Sequence, residues 1–335
     1  MSGLLDVDRL ARWLDAQGLE ARLPVSAAPL AGGRSNAMFT VDRGNQRWVL
    51  RRPAAVAMPN ADAGMVREFR ILAALEGTGV PHPAVVALCE DPAVLGRTFY
   101  LMERVDGVAL TPPPQPLATD PGRVEISRSM AESLARLHAV DWRDRGLADL
   151  GRPEGFHERQ TERWTRQLRS YEGRELPGVD GVTAWLRGHL PESFTPTLIH
   201  GDYHMLNVLI APEPPGRVVA ILDWETATIG DPLLDLAGFC EIWSTSLGDG
   251  WGTPDQLIEW YSAARGAASG PGAVGGLGLA DLTYYQVLYN FRLTVLLEGI
   301  YQRSLRDPTR PAMEDVGARA RWNLDRARQL VHLHE

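Results

Sequence analysis

The sequence predicts an α+β protein in which a small antiparallel sheet carrying one helix is followed by a mainly helical remainder. Three observations predict it. Short β-type runs separated by turn residues fill much of the first hundred positions. Thr111-Pro112-Pro113-Pro114-Gln115-Pro116 then breaks any regular element, and beyond it apolar residues recur at helical spacing, interrupted by one β-type patch.

In chain order, 1–20 reads as an amphipathic helix with Leu5, Leu10 and Leu14 set among Asp6, Asp8, Arg9 and Asp15. Residues 37–41 and 46–51 are strand-like and joined by the hairpin composition Asp42-Arg43-Gly44-Asn45. A helix follows over 62–76 with Val66, Phe69, Leu72 and Leu75 close to one face, then strands at 85–89 and 98–103 bridged by a turn around Asp91-Pro92. Asp120 as N-cap and Pro121 at the first helical position open a helix through His138. Further helices are expected at about 156–171, 181–190, 232–244, 255–266, 279–303 and 313–333, with 270–278 a Gly-rich linker. The β-type patch comprises 197–200, 208–211 and 218–222.

At 335 residues the chain exceeds the roughly 250–300 residues at which single cores stop growing, so two structural units are expected. Its 34 basic and 42 acidic side chains give a net charge of −8, which argues against nucleic acid as partner. All the basic residues are Arg, so Schiff-base lysines and phosphate-loop lysines are excluded. Charge is uneven: 201–300 holds 12 acidic and 3 basic residues, a net of −9. Cys89 and Cys240 are too few for a disulfide framework and have no metal-site spacing, which fits a reducing cytosol. The start lacks the form of a signal peptide, and no run approaches the roughly 18 apolar residues of a membrane span.

The chemistry concentrates in His200-Gly201-Asp202-Tyr203-His204-Met205-Leu206-Asn207, followed sixteen residues later by Asp223 in Ile221-Leu222-Asp223-Trp224-Glu225. An Asp, an Asn five residues on and a second Asp after a short hairpin suit phosphoryl transfer. One carboxylate orients the attacking hydroxyl and accepts its proton, while an amide and another carboxylate hold Mg²⁺ against the phosphates. Hard oxygen ligands suit Mg²⁺ better than zinc.

Here the sequence resembles the aminoglycoside phosphotransferase-like branch of the protein-kinase fold, whose HGDxHxxN motif is matched by His200, Gly201, Asp202, His204 and Asn207, and whose metal-binding Asp is matched by Asp223. The resemblance implies a two-lobed fold, 1–106 and 107–335, with ATP and Mg²⁺ as cofactors bound between the lobes. It makes Asp202 the catalytic base, Asn207 and Asp223 the magnesium ligands, and Asp235 a brace for the catalytic loop. His204 either donates to the γ-phosphate or makes a structural hydrogen bond. Gly32, Gly33 and Ser35 occupy the position of the nucleotide loop. Arg51 takes the place of the usual third-strand Lys, on the same face as Val49 by strand alternation, with Arg52 the alternative by one residue of register. Glu68 would be its ion-pair partner, and Met102, Glu103 and Val105 would form the adenine-binding hinge.

Nearly the whole chain resembles a narrower subgroup, the kinase-like domain fused in animals to acyl-CoA dehydrogenases and free-standing in bacteria. The resemblance lies in Val49-Leu50-Arg51-Arg52-Pro53, Arg67-Glu68-Phe69-Arg70, Gly151-Arg152-Pro153-Glu154-Gly155-Phe156, Arg159-Gln160, Arg163-Trp164, and Leu222-Asp223-Trp224-Glu225 with Gly230-Asp231-Pro232. His204-Met205-Leu206 departs from that subgroup's usual Arg-Leu-Asp. The subgroup implies a small-molecule hydroxyl acceptor, with hydroxyacyl-CoA thioesters as one class and aminoglycosides or macrolides as the alternative; a non-catalytic nucleotide or CoA sensor is a third reading. Arg159, Arg163, Arg166 and Arg169 share one face of the helix at 156–171, either to recognise CoA phosphates or as a solvated face paired with Glu158 and Glu162. Trp243, Trp251, Trp260, Tyr261, Tyr284, Tyr285, Tyr289 and Phe291 are either core or the lining of an apolar acyl pocket.

Overall fold

A computed structural model of the chain describes residues 5–30, 36–54, 60–110, 119–246, 250–269, 277–307 and 311–334. They form two compact units. One gathers Met1–Ala118, Asp144–Leu147 and Met205–Thr226; the other gathers Thr119–Arg143, Ala148–His204 and Ala227–Glu335. The elements, in chain order, are α1 (Val7–Ala16), β1 (Val25–Leu30), β2 (Asn36–Arg43), β3 (Gln46–Pro53), α2 (Ala61–Leu75), β4 (Val85–Cys89), α3 (Pro92–Leu95) and β5 (Phe99–Glu103). After these come α4 (Asp120–His138), α5 (Phe156–Arg169), α6 (Val179–Gly188), β6 (Thr197–Ile199), β7 (Val208–Ile210), β8 (Val218–Ile221), β9 (Thr228–Gly230), α7 (Pro232–Ser246), α8 (Pro254–Ser269), α9 (Thr283–Arg306) and α10 (Glu314–His334).

In the first unit the strands form one antiparallel sheet in the order β1-β2-β3-β5-β4. Its two faces have different tasks because side chains alternate across a strand. Phe39, Val41, Trp48, Leu50, Phe99 and Leu101 pack on one face with Leu10 and Leu14 of α1, and Trp13 meets Phe99 edge-on at 4.9 Å between ring centroids. Val49, Arg51, Tyr100 and Met102 lie on the other face, towards a cleft. The β2–β3 turn is tighter than the sequence predicts: only Gly44 and Asn45 lie outside the strands, and Gly44 adopts φ +58°, where glycine is the low-cost residue. The β7–β8 hairpin belongs to this unit. Val108 N–H donates to the Ile210 carbonyl at 2.9 Å and Ile210 N–H returns the bond at 3.0 Å. A Cβ on the adjacent Gly107 would lie 2.8 Å from the Leu209 Cβ, so this approach requires glycine.

The second unit is helical around the two-stranded β6–β9 sheet. α9 packs against α5, α7 and α10, and its buried residues include Tyr284, Tyr285, Tyr289, Phe291 and Arg292. Several sequence expectations are corrected here. Thr119, not Asp120, caps α4, its Oγ1 accepting from Gly122 N–H at 3.3 Å. The buried face of α2 is Met65, Glu68, Ile71, Leu72 and Leu75, because Glu68 turns inward to an arginine; Val66 and Phe69 are only half-buried. Residues 92–95 form a short helix capped by Asp91, and β9, absent from the sequence reading, pairs with β6. No helix among the described residues is long and apolar enough to cross a membrane.

Candidate active site

Within the first unit a cleft of about 680 Å³ lies against β3 and β5, a size suited to a small ligand or cofactor. Val49, Arg51, Met102, Glu103, Val105, Asn207 and Asp223 all line it. Gly32, Gly33 and Ser35 lie outside the described residues. Glu68 stands behind the lining, 2% exposed; its Oε1 accepts from Arg51 Nη2 at 3.0 Å, and its Oε2 lies 2.9 Å from Arg51 Nε as an ion pair. The Tyr100 hydroxyl donates to Oε2 of the same carboxylate at 3.0 Å. Arg51 Nη2 also donates to Asp223 Oδ1 at 2.7 Å. Burial alone would favour the neutral guanidine, but the charges of Glu68 and Asp223 reverse that and hold Arg51 more firmly protonated than an ordinary arginine. Arg52 alternates to the opposite face, where burial and then the neighbouring Arg97 charge lower its pKa.

Asp223 adopts φ +64°, a left-handed conformation costly for a residue with a side chain. Hydrogen bonds hold it there: Leu222 N–H donates to the Asn207 carbonyl at 2.8 Å, Ile221 N–H to the Pro81 carbonyl at 2.9 Å, and Arg67 Nη1 to the Glu225 carbonyl at 3.2 Å. Asn207 and Asp223 thus present an amide and a carboxylate to one cleft. Carboxylate oxygens of Glu68, Asp223 and Glu225 lie within 4.8 Å of one another. Glu68 is engaged by Arg51 and Tyr100, but the oxygens of Asp223, Glu225 and the Asn207 side chain suit a hard divalent cation such as Mg²⁺, which Asn207 and Asp223 could hold.

The second unit carries Asp202 and His204, which the chain joins directly to Met205–Asn207 of the first. Asp235, 4% exposed, accepts His200 N–H at 2.6 Å and Gly201 N–H at 2.8 Å, and lies 3.3 Å from His138 Nε2. Gly201 has φ +80°, and Asp202 N–H donates to His200 Nδ1 at 3.3 Å. The loop preceding Asp202 is therefore tied down from α7 and α4. His204 Nε2 lies 3.4 Å from Asp202 Oδ2. Burial would raise the pKa of Asp202, but the His204 contact and the charges of His204, Arg292 and His200 outweigh it and lower the value to about 2. The carboxylate is ionised at neutral pH, as a proton acceptor must be.

Sequence reasoning missed Tyr100 and Arg292. The strand register that sets Tyr100 opposite Arg51 is a pairing fact, invisible in either strand alone. Arg292 Nη1 donates to the Gly201 carbonyl, and its only sequence signal is rarity, as one of three basic residues in 201–300. On α5, the Arg159 guanidinium donates to the backbone carbonyls of Arg152 and Glu154, and Glu162 pairs with Arg187 at 2.9 Å. The expected pairing of Glu162 along the Arg face is thereby corrected, and Arg163, Arg166 and Arg169 remain exposed.

Comparison with known proteins gives the family and the fold. Residues 26–269 match the model of the phosphotransferase enzyme family. Mouse acyl-CoA dehydrogenase family member 10 is 32% identical over 316 residues, covering 89% of this chain but only 28% of that protein's length. A crystal structure of a candidate aminoglycoside phosphotransferase from Ralstonia eutropha superposes with a TM-score of 0.80 at 30% identity, covering 97% of this chain and 98% of that one. The GDP complex of an aminoglycoside 2'-phosphotransferase-IIIa variant shares the fold, with a TM-score of 0.65 at 17% identity over 97% of this chain and 98% of that one. The protein belongs to the phosphotransferase enzyme family.

Proposed function

We propose that the protein is an ATP-dependent kinase that transfers the γ-phosphoryl group to the hydroxyl of a small molecule, with hydroxyacyl-CoA thioesters as the acceptor class. One observation carries the reading: Asn207 and Asp223 face a cleft walled by Met102, Glu103 and Val105, while Asp202, five residues before Asn207, is held ionised. In this reading the hinge binds adenine, Arg51 binds phosphate oxygens, and Asn207 and Asp223 hold Mg²⁺. The metal, when bound, neutralises charge on the phosphates. Asp202 orients the acceptor hydroxyl and takes its proton as the oxygen attacks phosphorus in line and the bond to the ADP oxygen breaks. We infer the CoA class from the name of one relative alone, an acyl-CoA dehydrogenase family member of which this chain matches 28% of the length.

The test is ADP release from Mg·ATP against hydroxyacyl-CoA thioesters, aminoglycosides and macrolides. Asp202→Ala and Asp223→Ala should keep the wild-type circular dichroism and lose turnover by about 10²–10⁴-fold; undiminished turnover in either would remove these roles. Turnover of antibiotics alone would move the acceptor to that class. The Arg51–Asp223 ion pair favours one other reading, a nucleotide-binding sensor in which Arg51 competes with metal for Asp223. Binding of Mg·ATP without ADP release for any acceptor would establish it.

A further inference from the structure

The second unit contains a buried cation with no carboxylate in ion-pair contact among the described residues; the opposite charge that acts on it through space is that of Asp202. Arg292 is 8% exposed, and its guanidinium donates from Nη1 to the carbonyl of Gly201, the residue before Asp202. Its Nε is buried with no hydrogen-bond partner, and among the described residues no carboxylate lies within ion-pair distance of it. Burying a guanidinium in that state is costly, and an anion supplied by a ligand removes the cost. One turn earlier on α9, Tyr289 is 5% exposed and its hydroxyl is also buried without a partner.

A second guanidinium shares the position. Arg292 Cζ lies 5.6 Å from the centroid of the Trp164 ring, and Arg163 Cζ lies 4.8 Å from the same centroid. Glu162, one of the two carboxylates on the same helix, is paired with Arg187. Partial burial and then the Arg292 charge lower the pKa of Arg163, as expected where two like charges meet on one ring. Such a pair of cations is unfavourable unless something negative joins it. None of these residues is among those lining the cleft assigned to nucleotide.

We propose that Arg292 and Arg163, together on Trp164 and with the Tyr289 hydroxyl as a further donor, form an oxyanion subsite that selects acceptors carrying a carboxylate or phosphate besides the reacting hydroxyl. The word acceptor rests on the kinase reading above; the binding does not. The subsite disfavours polycationic aminoglycosides and ranks anionic alcohols above neutral ones. Carboxylate, phosphomonoester and CoA phosphates share the chemistry that two guanidinium groups recognise.

The experiment is isothermal titration calorimetry on the full chain with Mg²⁺ and AMP-PNP saturating the nucleotide site. The probes are 3-hydroxybutyrate, glycerol 3-phosphate and 3-hydroxybutyryl-CoA, with butane-1,3-diol as the neutral alcohol and kanamycin as the cationic one. At least one anionic probe should bind, and which one does identifies the source of the oxyanion. Arg163→Gln should weaken that binding about tenfold, and Arg292→Gln about a hundredfold. Failure of all three anions to bind overturns the proposal, as do unchanged affinity in both variants and equal binding of the diol or kanamycin. Arg163 is exposed, so its variant keeps the test decisive if Arg292→Gln does not fold. ADP release measured in parallel separates the two readings. Anion binding that is lost in the variants, without turnover by the wild type, keeps the subsite and removes the kinase. Turnover of the diol or kanamycin with no anion binding does the reverse.

Discussion

Arg51 reaches Glu68 and Asp223 with one planar side chain, a fork that a lysine ammonium does not have. In a chain without lysine, the third-strand cation is thus adapted to bridge two carboxylates rather than to contact one. Arg51→Lys should lose one of the bridges and reduce stability by about 1–3 kcal/mol, measured by urea denaturation, with weaker nucleotide binding in the same variant. Asp202 gives a pH-dependent prediction. Its pKa is lowered on folding from 3.8 to about 2, so its ionised form contributes stability above the unfolded value, and this is lost as pH falls through the folded one. The difference in melting temperature between wild type and Asp202→Asn should be constant above about pH 5 and shrink steadily towards pH 2. A difference that widens on acidification would contradict the sign. Arg51 and Asp202 are legible in the sequence because strand alternation and motif spacing are local properties. Tyr100 and Arg292 are not, because their significance is the partner each meets or lacks.

Elements were legible where periodicity spans several turns, as in α5, α9 and α10, whose predicted and observed limits differ by only a few residues. They were illegible where a buried polar group breaks the apolar pattern. Glu68 occupies the inward face of α2, so an apolar count shifts the face towards Val66 and Phe69. Three-residue β9 is too short to show alternation and exists through its pairing with β6. At the contact of α7 with α9, a Cβ on Gly238 would lie 2.6 Å from the Tyr289 ring. Gly238→Ala should therefore destabilise the protein by about 1–3 kcal/mol through overpacking, outweighing the gain in helix propensity. Equal or greater stability in thermal denaturation would show that α9 can move aside without cost.

At the scale of the molecule, each unit is assembled from separated stretches of chain. Residues 205–226 join 1–118, and with them the β7–β8 hairpin brings Asn207 and Asp223 to the cleft. A fragment ending at residue 118 lacks that wall, so it should fail to bind AMP-PNP in a fluorescence or calorimetric titration that the full chain passes. Nucleotide binding by the fragment would mean that β3 and β5 suffice. What the sequence by itself determined is the reaction class and the order of the longer elements: the spacing of Asp202, Asn207 and Asp223, the hairpin between them and the missing lysine are all local in the chain. Only the tertiary structure decided that Arg51 bridges Glu68 and Asp223, that Asp235 anchors the loop before Asp202, and that Arg292 is buried with no carboxylate in ion-pair contact among the described residues. Those facts depend on which atoms approach across long stretches of sequence, and burial converts that proximity into charge preference by removing the water that would otherwise screen it.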